Sequence, residues 1–359
     1  MNHPVLNRAL AQLILGASVS FAAEPMKFKP LVVHDPMVNN IEAFRMLVPA
    51  DWTAQGGIVW RADNVIPATA SMTIASPNGL AVLSLFPGQN FTWMEGGYGL
   101  FGIGDNYLGN IVMPPMADAA EFTSRILIPQ FRNNVAGLRI VQKEDLPAIA
   151  QAVAPTIQEP GVQKTVRAGK VRIQYESSGQ PFDEDIYLVL VYSSFPAMPA
   201  LTLWSTERLY SFRAPRGQLD SYAPVLQAMV SSFRLSPQWL NAFVQVQTQW
   251  IQNQMQSIRN AGALSRYISS VHEEISDMNR QAFENRQASM DRINKNFSQY
   301  IRGVDEYNNP FEGRPVELPS GYHQAWANSS GEYILTDQTS FNPNIGSNVE
   351  WKPLEKTGD

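Results

Sequence analysis

The sequence contains no cysteine. Its absence excludes disulfide bonds, thiolate catalysis, zinc sites with cysteine ligands and a lipid anchor on cysteine. Charged residues are also few, since Asp, Glu, Lys and Arg make up 16% of the 359 residues and leave a net charge of −5. Because no run of Lys or Arg is present to neutralise phosphates, we expect no nucleic-acid partner.

Motifs for catalysis are missing as well. Histidine occurs four times, and the stretch that begins with His272-Glu273 lacks the second histidine of a zinc-protease helix. Neither the nucleophile elbow G-x-S-x-G nor the phosphate-binding loop G-x-x-x-x-G-K-[ST] is found. The sequence therefore supports no particular enzymatic activity, and we expect neither a cofactor nor a resident metal.

Long hydrophobic runs are absent except near the N-terminus. Residues 9–19 are mostly apolar, follow Arg8 and lead to Ser20-Phe21-Ala22, a small-x-small cleavage site. This pattern is typical of a secretory signal peptide cleaved near Ala22, because the apolar run is too short to span a bilayer. We expect an exported protein, periplasmic or extracellular, with no integral membrane segment. The lack of disulfides favours a bacterial source.

Residues 23–235 show strand patterns interrupted by a few amphipathic helices. Asn78-Gly79 supplies the positive φ angles that a tight hairpin requires, and Ser177-Ser178-Gly179 marks a second turn. Residues 88–115 are rich in glycine and proline and predict a long surface loop. The predicted strands are 43–52, 58–61, 70–75, 80–86, 162–175, 186–192 and 201–212, and the predicted helices are 118–128, 148–152 and 218–231.

Residues 236–303 carry apolar side chains at steps of three and four, which predicts a long amphipathic helix. Ser236 is a good N-cap, Pro237 suits the first helical position, and Gly303 is a stop signal. At about 1.5 Å per residue, an unbroken helix would be about 100 Å long. Beyond it, Asn328-Ser329-Ser330-Gly331 separates two short strands that we expect to dock on the helix or on the preceding domain.

The predicted fold class is therefore α+β, with an antiparallel sheet sandwiched by helices. The expected organisation is a signal peptide in 1–22, an α/β sandwich domain in 23–235, a long helix or helical hairpin in 236–304 and a β-hairpin tail in 305–359.

Short motifs near both ends of the predicted domain resemble a known family. Phe44, Val48-Pro49 and Trp52 near its start, and Ser231-Ser232-Phe233-Arg234-Leu235 at its end, are similar to PsbP-like domains over about residues 40–235. The resemblance implies an antiparallel sheet between helices. It also implies a role in binding or assembly rather than catalysis.

The predicted helix changes character near Asn260-Ala261-Gly262, where a hinge or a turn into an antiparallel pair remains open. The first half has no charge between residues 238 and 257, and its apolar stripe suits either packing on the domain or assembly. The charged second half favours pairing with another helix, in the same chain or in a second copy, because an exposed stripe needs a partner. The candidate assembly residues are Ile268, Val271, Ile275, Met278, Ile293 and Phe297.

Aromatic residues alternate with glycine in the predicted loop. Phe91, Trp93, Tyr98, Phe101 and Tyr107 are candidates for stacking on a glycan or anchoring a protein partner, and a small local core is an equal alternative. Residues 97–102 match G-x-G-x-x-G, but no helix begins after them, so a dinucleotide site is not favoured.

Acidic residues support a rival function. Asp183-Glu184-Asp185 predicts either a solvated acidic turn or a site for a divalent cation. A secreted hydrolase acting on cell-wall or glycan material would use acids such as Asp105, Asp183 and Asp185. That function requires two of the carboxylates to converge within about 5–10 Å.

Overall fold

The computed structural model describes residues 25–61, 64, 66–97, 99, 101–157, 161–258 and 303–357. The fold is mostly β, with 50% strand and 18% helix. The predicted α+β class with a helix-sandwiched sheet is therefore wrong. Most of the predicted strands extend further than their apolar cores suggested, because backbone pairing continues through polar residues at the strand ends, whereas the strands predicted at 43–52 and 80–86 end earlier, at Pro49 and Leu85.

The strands of the described residues form three sheets. They are β1 (Met26–Asp35), β2 (Ile41–Pro49), β3 (Thr53–Trp60), β4 (Ala68–Ala75), β5 (Val82–Leu85), β6 (Asn90–Met94), β7 (Asn106–Tyr107), β8 (Asn110–Val112), β9 (Ala136–Asp145), β10 (Gln163–Ser177), β11 (Gln180–Phe195), β12 (Met198–Pro215), β13 (Arg234–Leu235), β14 (Val304–Asn308), β15 (Pro315–Pro319), β16 (Gln324–Asn328), β17 (Tyr333–Thr336), β18 (Trp351–Pro353) and β19 (Glu355–Lys356).

The described helices are short except for the last two. They are α1 (Ala119–Phe122) and α2 (Ile128–Phe131), joined by a π-helical turn at Thr123–Leu127, then α3 (Pro147–Val153), α4 (Leu219–Ser231) and α5 (Pro237–Ile258). Asp118 caps α1 by accepting a hydrogen bond from the backbone N–H of Glu121 at 2.6 Å. None of the described helices is long and apolar enough to cross a membrane.

The first sheet joins the two ends of the chain. Its order is β13-β2-β1-β17-β16-β18, so the hairpin of β16 and β17 extends the sheet beyond β1. Met26 to Phe28 pair with Leu335 to Tyr333. The predicted docking of the tail is thus achieved by backbone pairing with the N-terminal strand.

The second sheet is the larger one, in the order β3-β4-β5-β12-β11-β10-β9, with β6 to β8 attached beside β12. Its long hairpins follow turn chemistry visible in the sequence. Ser178 and Gly179 have φ of 52° and 76° and join β10 to β11, with Ser177 opposite Gln180. A third sheet has the order β15-β14-β19.

The second sheet has a hydrophobic core on each face. The larger core lies between this sheet, the first sheet and helices α3 to α5, and includes Phe44, Tyr187, Phe212 and Met229. The smaller core lies beneath α1 and α2 and includes Phe122, Ile173 and Trp204.

A buried carboxylate holds α5 against the strands. Asp35 is fully buried and accepts hydrogen bonds from the indole N–H groups of Trp60 at 2.9 Å and Trp239 at 2.6 Å. The backbone N–H of Met37 donates to its other oxygen at 2.9 Å. These three donors satisfy a group whose unpaired burial would be costly.

The long predicted helix is not observed. Within the described residues α5 spans 22 residues, from Pro237 to Ile258, and residues 259–302, including the predicted hinge, lie outside them. The early part of the stripe is a packing face, because Trp239, Leu240 and Phe243 are buried in the larger core.

Candidate functional site

The three consecutive acids of the sequence lie in the middle of the second sheet rather than in a turn. Asp183, Glu184 and Asp185 belong to β11, and all three are buried. Because side chains alternate along a strand, Asp183 and Asp185 face the larger core and Glu184 faces the smaller one. Burial of three carboxylates requires a partner for each of them.

Glu184 is paired with an arginine from the end of α2. The guanidinium of Arg132 donates to both carboxylate oxygens, one of them through its Nε at 2.7 Å. The hydroxyl of Tyr175 donates to Oε2 at 2.9 Å, and burial raises the pKa of Tyr175 well above its usual range. This bidentate pair fixes α2 to the sheet.

The other two acids are held on the opposite face. Arg172 of β10 donates to both oxygens of Asp185, at 2.7 and 2.8 Å, and also to Asp220 of α4 at 2.7 Å. The hydrogen bond from Arg172 lowers the pKa of Asp220. Asp183 accepts from the backbone N–H of Gly217 at 2.7 Å.

These partners change the interpretation of the acidic cluster. Glu184 points away from its two neighbours, and the described residues contain no group of three or more His, Cys, Asp or Glu placed to hold a metal ion. The triplet therefore forms neither the solvated acidic turn nor the alternative cation site. Glu184 and Asp185 instead form ion pairs with Arg132 and Arg172, which connect β11 to α2, β10 and α4.

The third acid of the rival hydrolase function is remote from the triplet. The carbonyl oxygen of Asp105 accepts from the N–H of Val112 at 2.8 Å, and Val112 pairs with Thr92 of β6. Thr92 aligns through β12 with Ser193, eight residues along β11 from Asp185. At about 3.3 Å per residue the separation along the strand is about 25 Å, so Asp105 does not share a cleft with Asp183 and Asp185, and those two neighbours on one face of β11 are both buried.

The predicted surface loop contains strands, and one of its aromatics is a core residue. Phe91 is on β6, is 1% exposed, and stacks on Trp204 with ring centroids 4.0 Å apart. Phe122 meets both rings edge-on. Phe91 is therefore unavailable to a ligand, and the prediction of a continuous surface loop over 88–115 is wrong because β12 provides an edge for β6 to pair with.

The other candidate binding aromatics of the predicted loop differ in how far they are buried. Trp93 is half-buried on β6, opposite Thr202. Tyr107 packs on a third small core that contains Phe195, and it meets Phe101 edge-on at 4.9 Å. Tyr98 lies outside the described residues.

An exposed apolar tip remains, which we define as the described residues of 95–105. Phe101 is 43% and Ile103 is 67% exposed. The Asp105 carboxylate accepts from the N–H of Gly102 at 2.8 Å, and the N–H of Gly104 donates to Val112 at 2.8 Å. Four of its glycines, Gly96, Gly97, Gly99 and Gly104, have positive φ and open space where a Cβ would stand.

The predicted assembly residues Ile268, Val271, Ile275, Met278, Ile293 and Phe297 all lie outside the described residues. Described residues on either side of this segment pack on helix α4 and in the larger core. The start of α5 is buried there, and Gly303 lies against Pro224 of α4, whose Cγ would be 2.9 Å from a Cβ at that position.

Sequence reasoning missed the ion pair of Arg132 with Glu184 and the carboxylate of Asp35. Glu184 is 52 positions from Arg132, and Asp35 is 25 positions from Trp60 and 204 from Trp239, so no local pattern marks these contacts. One signal was available for Glu184. It belongs to three consecutive acids at the start of an apolar strand, and a carboxylate buried in such a strand needs a hydrogen-bond or ion-pair partner.

The described residues define a mostly β protein with ion-paired acids and an exposed glycine-rich apolar tip. No protein-family model and no curated protein matches the chain. The PsbP-like resemblance of residues 40–235 therefore stays a prediction.

Proposed function

We propose that the chain is an exported bacterial protein that binds and assembles rather than catalyses. The observation that carries the proposal is the engagement of the buried acids: Arg132 binds both oxygens of Glu184, Arg172 binds both oxygens of Asp185, and Asp183 accepts from the backbone N–H of Gly217 with its other oxygen 4.0 Å from Nε of Arg216. A general acid or base must be free to exchange a proton with a substrate, whereas these carboxylates hold elements together.

Two surfaces are then available for partners. The apolar tip presents Phe101 and Ile103 to solvent, which suits a protein partner or the face of a sugar ring. The second surface is the apolar stripe of residues 264–301. Apolar residues spaced by three and four positions are typical of a helix that packs against another helix.

Assembly through residues 264–301 is tested by placing a charge in the apolar stripe. Ile275→Asp would put a carboxylate into the helix contact and is expected to reduce the solution mass to that of one chain, because a buried unpaired charge is strongly unfavourable. The measurement is size-exclusion chromatography with light scattering on the full chain.

Ser270→Asp is the matched control. On a helix it lies about 140° from the position of Ile275, away from the stripe, and it introduces the same charge. We expect it to keep the wild-type mass. An unchanged mass for Ile275→Asp, or equal loss in both variants, contradicts assembly through this stripe.

A further inference from the structure

One end of the second sheet presents two neighbouring loops to solvent and carries little charge. One is the apolar tip, and the other is the turn between β11 and β12, which we call the turn loop and define as residues 196–200. We propose that these two loops insert together into the headgroup region of a zwitterionic lipid bilayer. The inference rests on the binding role proposed above and gives the tip a lipid partner, but it does not depend on assembly through residues 264–301.

The two loops lie side by side because β6 runs along β12 towards the turn. Met94, the last residue of β6, pairs with Leu201 of β12. The backbone N–H of Glu95 then donates to the carbonyl oxygen of Ala200 at 2.9 Å, which joins the base of the tip to the turn loop. Met94, Met198 and Leu201 all belong to the third small core, so one set of buried side chains supports both loops.

Charged residues are scarce at this end of the sheet. No charged residue occurs from 186 to 206, on either side of the turn, and no Lys, Arg or His occurs from 62 to 124. The tip carries the acids Glu95 and Asp105, and the first cation on the neighbouring strand β10 is Lys164, opposite Ser193. At about 3.3 Å per residue, Ser193 lies about 10 Å back from Pro196. Interfacial segments enter a bilayer by about 5–10 Å, so Lys164 stays in the aqueous layer, and the two acids restrict entry to the headgroup region.

The exposed side chains between these charges are apolar. In the tip, Phe101 and Ile103 are 43% and 67% exposed. In the turn loop, Pro196, Ala197 and Pro199 are exposed. Transfer of such side chains from water to the boundary between headgroups and acyl chains is favourable.

The backbone of the tip is prepared for a region with little water, because several of its N–H groups are already bonded. Gly97 donates to the carbonyl oxygen of Met94 at 3.0 Å, and Gly102 donates to the carboxylate of Asp105 at 2.8 Å. The N–H of Gly104 donates to a carbonyl oxygen of β8 at 2.8 Å, which brings the chain back to this end of the sheet. Unpaired donors would make entry into the bilayer costly.

A bilayer fits these loops better than a folded protein does. A stable protein interface takes about 800 Å² from each partner. A wholly buried aromatic side chain contributes only about 150–250 Å², and Phe101 is the one aromatic among the exposed described side chains of the two loops. A bilayer requires no matching surface of that size, and the acids of the tip select zwitterionic over anionic lipid.

The absence of cysteine allows a single fluorescent label to report insertion of the full chain. Ala197→Cys places an environment-sensitive dye on the turn loop, and Glu176→Cys places it on an exposed position at the opposite end of β10. With phosphatidylcholine vesicles in large excess, we expect the dye on the turn loop to shift to the blue and to be quenched by a quencher on the acyl chains. The dye at the opposite end is expected to show neither effect. Vesicles that also contain phosphatidylglycerol are expected to bind less, and added salt is not expected to weaken binding to phosphatidylcholine.

A charge in the tip tests whether the two loops insert together. Ile103→Asp, combined with the dye on the turn loop, is expected to weaken binding to phosphatidylcholine vesicles by about tenfold or more, because a carboxylate enters the bilayer poorly. Val141→Asp is the matched control, since Val141 is also exposed, at 45%, but lies on β9 beside the far end of β10. We expect it to bind like the unsubstituted chain.

The outcomes separate insertion from assembly. An unshifted dye on the turn loop, binding that requires phosphatidylglycerol, or undiminished binding by Ile103→Asp would overturn insertion. A lower solution mass of Ile103→Asp, in a chain that binds no vesicle, would identify a protein partner at the tip and would also overturn it. Light scattering measures the mass in parallel, so a chain that inserts with the mass of one chain supports insertion and contradicts assembly through residues 264–301. An assembled chain that does not insert does the reverse.

Discussion

At the scale of single residues, buried carboxylates connect elements that are distant in sequence. Asp35 joins β1 to β3 through Trp60 and to α5 through Trp239, and Glu184 joins β11 to the end of α2 through Arg132. Removing one partner of such a pair leaves the other charge buried without compensation. These residues are therefore sensitive positions for stability.

Glu184→Gln tests the contribution of the buried ion pair with Arg132 to stability. The substitution keeps the shape but removes the charge that compensates Arg132, and we expect the free energy of unfolding to fall by about 3 kcal/mol. Urea denaturation followed by tryptophan fluorescence measures it.

The control is the same change in an exposed pair. Arg125 contacts Glu121 at 2.9 Å four residues apart on a solvent-facing helix surface. Glu121→Gln is expected to cost less than about 0.5 kcal/mol. A similar decrease in the free energy of unfolding in both variants would contradict a larger contribution from the buried ion pair of Glu184 with Arg132.

At the scale of elements, hairpins and amphipathic helices were predictable because their signals are local. The turn at Ser178-Gly179, the hairpin of β4 with β5 and helix α4 follow turn residues and apolar spacing. Strand β9 was missed because most of its side chains are exposed, so no alternation marks it. Strand β6 was missed because glycines surround it.

One close contact within the second sheet depends on glycine. Gly56 of β3 has φ of 101°, and a Cβ there would lie 2.2 Å from the carbonyl oxygen of Ser71. The adjacent Gly57 has only Val33 Cγ1 near its Cβ position, at 3.9 Å. The two neighbours therefore differ sharply in the space available.

We expect Gly56→Ala to lower the free energy of unfolding by about 2–4 kcal/mol, because it adds a clash to backbone strain. Gly57→Ala is expected to change it by less than about 1 kcal/mol. Chemical denaturation of both variants checks the difference, and equal stabilities would contradict the strand geometry at Gly56.

At the scale of the whole molecule, the N-terminal strand and the C-terminal hairpin complete one sheet. Pairing of residues so far apart leaves no periodic signal in sequence, which explains why the tail was predicted only to dock somewhere on the body. The PsbP-like resemblance ends at residue 235 and includes no part of the C-terminal hairpin.

The absence of cysteine makes this pairing easy to test. Lys27 and Ile334 are directly opposite in β1 and β17. Lys27→Cys with Ile334→Cys is expected to form a disulfide on oxidation, since paired strand residues have the required separation. Lys27→Cys with Gln338→Cys, four residues further on, is expected to retain both free thiols by mass spectrometry. Equal cross-linking in the two variants would contradict the register.

Assembly is the central claim for the molecule as a whole, and the mass of the unmodified full chain in solution tests it most directly. In sedimentation velocity over a wide concentration series, we expect a weight-average mass above that of one chain which rises with concentration. A single species with the mass of one chain at every concentration would contradict the account.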